Sequence, residues 1–205
     1  ARSVEELSRS AMAARRGALP AHPLLIVGLH TLADPTRAPA GKHTLWAMTH
    51  VPSHISSDDG ETISARTWGE AKAAFTDRIL DEFEAFAPGF RRLVLATHAQ
   101  SPEDLERANS NLVGGDIGTG SYTLDQQLVF RPLPGWFRYH TPLDGLYISG
   151  AATHPGGGVH GAAGSNAARV VLSDLHMGRV AAGVARAASP LRSLLPGGAK
   201  RWLED

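Results

Sequence analysis

The sequence predicts an α+β fold, a mixed sheet with flanking helices and, toward the C-terminus, one more strand followed by a helix. Three observations predict it. Segments 4–16 and 68–86 repeat apolar residues at helical spacing. Short apolar runs at 23–30, 43–51, 91–99 and 146–150 have the length of strands. Of the 22 glycines, 11 crowd into 114–120 and 145–164, and such density asks for sharp turns or close approach to the backbone.

Taken in order, Ser3 and Glu6 stand in capping-box spacing ahead of a helix over 4–16 whose Val4, Leu7, Ala11 and Ala14 share a face. Pro20 and Pro23 close it off. The run 23–30 (PLLIVGLH) reads as a buried strand and 43–51 (HTLWAMTHV) as the next, antiparallel to it and joined by the proline-containing loop 33–42. Thr67 and Glu70 repeat the capping pattern before the helix 68–86, which Pro88 and Gly89 stop. A strand is expected over 91–99, then a short helix opened by Ser101 and Pro102 and running to Ala108. The glycine-rich loop 109–120 follows. The stretch 146–150 reads as a buried strand, leading through a glycine-rich loop into a helix that ends near Gly178. Residues 179–205 read as one or two marginal helices with a frayed end.

Composition excludes several classes of function. Twenty basic and twenty acidic residues cancel, so no global field draws in nucleic acid. The absence of cysteine removes disulfides, thiolate nucleophiles and iron–sulfur clusters from this chain. No apolar run approaches the roughly 18–20 residues of a membrane span. The signatures of serine hydrolases, P-loop NTPases and zincins are missing. The chain begins with Ala rather than Met, which suggests processing or truncation.

Gly156, Gly158 and Gly161 satisfy G-x-G-x-x-G, the spacing of a dinucleotide-binding turn. The Rossmann context is incomplete. Five residues separate Gly150 from the motif, no second strand follows, and Asp174 lies inside the helix instead of at a strand end. Three consecutive glycines let a backbone lie flat on a planar group, and a helix start favours negative charge. Gly161, Gly164, Ala167 and Ala168 keep the first turns slim. The alternative reading is a glycine-rich turn before a core helix.

The stretch 146–168 (LYISGAATHPGGGVHGAAGSNAA) resembles the C-terminal cofactor segment of phytoene desaturases and related FAD-dependent oxidoreductases. Residues 114–134 and 23–52 are similar to upstream and substrate-domain segments of the same superfamily. The fit is closest to the phytoene dehydrogenase-like group that includes pyridine nucleotide-disulphide oxidoreductase domain-containing proteins. The resemblance implies that residues 1–140 form part of a substrate domain and 141–178 the return strand, glycine-rich turn and helix of an FAD domain. Residues 179–205 are then a helical tail. The N-terminal Rossmann part of such enzymes is absent, so the chain reads as a C-terminal fragment, inactive alone and binding FAD weakly or not at all.

The residues that the resemblance sets against FAD are Gly150, Ala151, His154, Pro155, Gly156, Gly157, Gly158, Val159, His160 and Gly161. Tyr122, Gln126 and Arg131 fall in the segment resembling the substrate-facing wall. Arg131 fits a polar substrate end, a carboxylate partner or a structural role. His154 and His160 either face flavin or substrate or bond to backbone. Asp116 suits an Asx turn, and Trp46, Trp68 and Trp136 suit the core. His50 and His54 flank Pro52 and make a poor metal pair, so no metal is expected and the catalytic residues stay unassigned.

The implied parent enzyme dehydrogenates or desaturates a small hydrophobic, isoprenoid-like substrate by abstracting a hydride. The expected partners are that substrate, the missing N-terminal FAD domain and a second copy of the chain. Nucleic acid and a transmembrane span are not expected. The expected location is the cytoplasm, with attachment to a membrane surface as the alternative. The rival function is a non-catalytic module that binds itself or a partner.

Overall fold

The structure, a computed structural model, describes residues 3–121 and 123–193, with side chains described as far as residue 178. The fold is α+β. The chain divides into two compact units, Ala1–Ile117 and Gly118–Asp205.

The first unit is built around the helix α2 (Trp68–Phe86). Its chain opens with α1 (Val4–Arg15), where the Ser3 hydroxyl accepts the Glu6 N–H at 3.2 Å. The face that α1 buries is Ser10 and Ala13, not the stripe of Val4, Leu7, Ala11 and Ala14; Val4 is 77% exposed. Close packing favours the small side chains here, and the Ser10 hydroxyl accepts the Leu24 N–H.

Strands β1 (Ala18–Leu19) and β4 (Ser57–Asp58) pair in parallel, whereas β2 (Ile26–Gly28) and β3 (Trp46–Met48) pair antiparallel with Val27 opposite Ala47. The antiparallel pair joined by a long loop is therefore as the sequence indicates. The mixed sheet is not: the described residues form two separate two-stranded ladders. Ile26, Val27 and Trp46 are each close to half exposed, so this pair is not the buried layer expected of it. A two-stranded ladder has only one covered face at most.

The core lies elsewhere. Leu19, Ile55 and Ile63 pack with Trp68, Ala71 and Phe75 of α2 (Trp68–Phe86). Trp68 meets the Phe75 ring edge-on at 5.8 Å and donates its indole N–H to the Pro52 carbonyl at 3.0 Å. Thr67 makes no side-chain capping bond despite its spacing. Beside this core, Asp58 accepts the Arg78 guanidinium at 2.6 and 2.7 Å and the N–H groups of Gly60, Thr62 and Ile63. Arg78 also reaches the Pro20 carbonyl, so one side chain ties α2 to both strands of the β1–β4 ladder at their C-terminal end.

The strand expected over 91–99 is instead a short helix, α3 (Phe90–Leu93), followed by irregular chain. The Glu84 carboxylate accepts the N–H groups of Gly89 and Arg91, and Arg91 reaches back to Asp77 and Asp81. These bonds fold the segment onto the end of α2. Leu93 and Leu95 remain more than three-quarters exposed. Next comes α4 (Pro102–Ala108), with a complete Ser101–Asp104 capping box; the sequence places it correctly.

The second unit is mostly turns until α5 (Ala162–Ser193). No strand forms over 146–150. That segment is one arm of a short hairpin, with His140 bridged to Tyr147 and the Ile148 N–H donated to the Tyr139 carbonyl at 2.9 Å. With no neighbouring strand among the described residues, a longer ladder has nothing to pair with. The helix passes Gly178 without stopping. A helical glycine costs only about 1 kcal/mol relative to alanine, and the alanine-rich chain beyond it carries the helix on. Ala163 and Ala167, rather than Gly161, Gly164 and Ala168, form its buried slim face. Trp136 is 40% exposed, so of the three tryptophans assigned to the core only Trp68 is in it.

Candidate functional site

The glycine-rich stretch 150–161 is an ordered succession of turns. Gly150 has φ +100°, a conformation open to glycine, and its carbonyl accepts both the Thr153 N–H at 3.1 Å and the Thr153 hydroxyl at 2.9 Å. Thr153 is buried, and its carbonyl accepts the Gly156 N–H at 2.7 Å. Gly156 takes φ +103°. Pro155, between them, follows a cis peptide bond.

The stretch is tied to α5 through a tyrosine. The Tyr139 hydroxyl donates to the His154 carbonyl at 2.6 Å and accepts from the Asn166 amide at 3.0 Å. The His154 carbonyl is thereby fixed while its ring Nδ1 is buried with no hydrogen-bond partner in the structure. A buried polar atom left in this state carries a desolvation cost of about 1–3 kcal/mol.

Beyond Gly156 the stretch turns outward. Val159 is fully exposed, as are Gly158, His160 and Gly161. His160 Nδ1 accepts the Ala162 N–H at 3.0 Å, which fixes Nδ1 as the unprotonated nitrogen of the ring. The first turn closes where the Ser165 N–H meets the Gly161 carbonyl at 3.0 Å. The N–H groups of Ala163 and Gly164 therefore have no intrahelical acceptor.

Arg131 is 1% exposed. Its Nε and Nη2 donate to the Ala151 carbonyl at 3.1 and 2.7 Å. Its other bonds run to the carbonyls of Gly118, Thr119, Ser121 and Gln126 at 2.9–3.4 Å. Gln126 is half-buried and donates its side-chain amide to the Asp125 carbonyl at 3.3 Å. Tyr122 lies outside the described residues. Arg131, Gln126 and Ala151 are thus brought together by the fold, and His154 and Gly156 sit on the same run of turns.

Sequence reasoning missed the residues that hold this arrangement: Tyr139, Asn166, Thr153 and a cluster around Asp174. The Asp174 carboxylate accepts the Tyr147 hydroxyl at 2.8 Å and pairs with His140 Nε2 at 2.8 Å. Those bonds, Tyr147 first, hold the carboxyl below its usual range, and the same carboxylate raises the Tyr147 hydroxyl. Their separations of 27 and 34 residues leave no periodic trace. Among the described residues no group of three His, Cys, Asp or Glu side chains is placed to hold a metal, and none of the helices is long and apolar enough to cross a membrane.

The donor set suits a planar, partly anionic group lying on the backbone. Cβ atoms added at Gly150 or Gly161 would meet nothing within 4 Å, so space opens over the stretch at both ends. Exposed glycine backbone runs directly into a helix start, where N–H groups favour negative charge. Nothing in the described residues supplies a phosphate-binding strand–turn–helix.

The chain is 41% identical over 162 residues to the mouse (Mus musculus) protein named pyridine nucleotide-disulfide oxidoreductase domain-containing protein 2, covering 78% of this chain and 27% of that protein. It is 31% identical to the 4,4'-diapolycopen-4-al dehydrogenase of Metabacillus indicus and to a lycopene-forming phytoene desaturase of a Paracoccus strain. Each match covers 69% of this chain and 26% of the relative. The chain spans about a quarter of the length of these curated relatives. No protein-family model matches it, and no solved structure does.

Proposed function

Since the chain is homologous to part of pyridine nucleotide-disulfide oxidoreductase domain-containing protein 2 and of phytoene desaturases, we propose that it is the C-terminal part of an FAD-dependent oxidoreductase. Its substrate is a small hydrophobic, isoprenoid-like molecule that loses a hydride and a proton. The observation that carries this reading is the exposed, glycine-rich backbone from 158 to 161 ending at the start of α5. When bound, the flavin ring supplies the hydride acceptor.

The chain's own residues do the rest by position. Gly157 and Gly158 offer a backbone surface bordered by the His160 ring, and Gly150, Ala151, His154, Pro155 and the buried Gly156 shape its approach. The N–H groups of Ala163 and Gly164 favour negative charge at the ring. His160 holds the Ala162 N–H, and Val159 and Gly161 border the ring. Gln126 belongs to the substrate-facing wall. Residues 1–140 serve the substrate domain, 141–178 the flavin domain and 179–205 a helical tail, and an N-terminal part not contained in this chain grips the rest of the cofactor. The location proposed is the cytoplasm, with membrane-surface attachment as the alternative.

The test is spectroscopic. The full-length protein is expected to purify with the visible absorption of a flavin, and the 205-residue chain to purify colourless. A full-length protein without flavin, unable to take up added FAD, would sink the proposal.

A second reading is a self-associating or partner-binding module without catalysis. It is favoured by the exposed apolar side chains of the second unit, among them Leu124, Leu128, Leu133, Leu143 and Leu172, which are 59–89% exposed. Size-exclusion chromatography with and without FAD separates the two, since a module of this kind assembles without flavin.

A further inference from the structure

We infer that Arg131 is a positioning residue that couples the loop 118–126 to the start of the glycine-rich stretch, rather than a ligand for substrate. The inference rests on the flavin reading above for its functional meaning, and on geometry alone for its physical content.

A guanidinium presents donors along two edges of a rigid plane. Here Nε and Nη2 close on a single oxygen, the Ala151 carbonyl. Nη1 donates to the Ser121 and Gln126 carbonyls, and Nη2 also faces those of Gly118 and Thr119. A side chain 1% exposed with its donors turned to backbone at two separate places is a strut. Ala151 lies between Gly150 and Thr153, whose bonds set the first turn of the stretch.

The loop on the other side is strained. Thr119 holds a φ of +47°, in the left-handed region that non-glycine residues rarely occupy. Such conformations persist when surrounding bonds over-determine them. Arg131 supplies those bonds, and a displacement of the Ala151 carbonyl is felt by the loop that carries Gln126. Substrate-facing and cofactor-facing segments are thereby set relative to each other by one buried cation. A lysine in its place is a point charge able to satisfy one side and not both.

Hydrogen exchange on the chain, without and with FAD, tests this. Without ligand, Arg131→Gln is expected to raise exchange at least about tenfold at Thr123 and Gln126 and also at Thr153 and Gly156, with α5 amides unchanged as the measure that the second unit still folds. A rise confined to one segment, or none, overturns the strut. If Arg131→Gln disturbs α5 as well, Arg131→Lys decides: the strut predicts a rise in at least one of the two segments, because a point charge cannot hold both, and no rise in either overturns it.

With FAD added to the full-length protein, protection at 150–161 is expected to extend to 118–126 in the wild type and to stop at 150–161 in Arg131→Lys. Equal protection of both segments in wild type and variant overturns the coupling and leaves the flavin reading standing. Absence of any FAD-dependent protection overturns the flavin reading, while the ligand-free comparison still decides the strut.

Discussion

The two units of this chain are held together by different forces. In Ala1–Ile117, six buried apolar side chains, from Leu19 to Phe75, make one continuous core, and a single buried ion pair stands beside it. In Gly118–Asp205 the described buried apolar residues are Tyr139, Ala163 and Ala167, two of them alanines. Order there comes from hydrogen bonds: Arg131 to carbonyls on two segments, Tyr139 between His154 and Asn166, Asp174 between His140 and Tyr147. Large apolar side chains of that unit point outward. Burial of apolar area drives folding in proportion to area, whereas hydrogen bonds contribute about 0.5–1.5 kcal/mol each and act mainly by fixing geometry. The first unit is organised for stability and the second for holding turns in place.

The largest effect that would sharpen this contrast is truncation of the core. Phe75→Ala is expected to cost about 3–5 kcal/mol, read as a lower urea midpoint for the loss of helical circular dichroism. Leu124→Ala in the second unit, at a side chain 89% exposed, is expected to stay within about 0.5 kcal/mol. Similar costs for both would erase the distinction between the units.

Acid gives the next largest effect. Burial pushes the Asp58 carboxyl up, but the Arg78 fork and the N–H groups of Ile63, Gly60 and Thr62 outweigh it and hold the carboxyl at about 2, against 3.8 for the free group. A carboxyl depressed on folding contributes stability that is present above its unfolded value and lost as pH falls through its folded value. About 2 kcal/mol is therefore expected to disappear from the first unit between about pH 4 and pH 2. Urea titrations across that range check it, and Asp58→Asn should flatten the dependence while starting from lower stability.

The smallest effect tests the polar side of the comparison. Tyr139→Phe removes the donor to the His154 carbonyl and the acceptor for Asn166. It is expected to cost about 1 kcal/mol while raising hydrogen exchange at Thr153 and Gly156. An unchanged exchange pattern would show that the glycine-rich stretch holds its shape without this tie.

Local signals were readable where local physics decides. The 19-residue α2 and the Ser101–Asp104 box follow from periodicity and capping chemistry within a few positions of one another. The segment 91–99 misled because its apolar alternation counts only if a strand lies alongside, and Glu84, outside the segment, recruits its N–H groups instead. The same reason removed the strand at 146–150. At the candidate site the glycines were legible because their backbone needs are written in their identity, and Gly150 and Gly156 do take positive φ.

The residues that hold those glycines were not legible. Tyr139 and Asn166 lie 27 positions apart and Arg131 and Ala151 lie 20 apart, and a contact at such a distance leaves no period in the chain. The amino-acid order by itself determined where helices begin, where the backbone must turn and that the chain is similar to part of an oxidoreductase domain-containing protein and of phytoene desaturases. Only the tertiary structure decided which faces are buried, which apolar runs find a strand to pair with, and that Arg131 spends its charge on carbonyls. Propensity and capping act over a few residues, whereas burial and hydrogen-bond satisfaction depend on groups that only folding brings within reach.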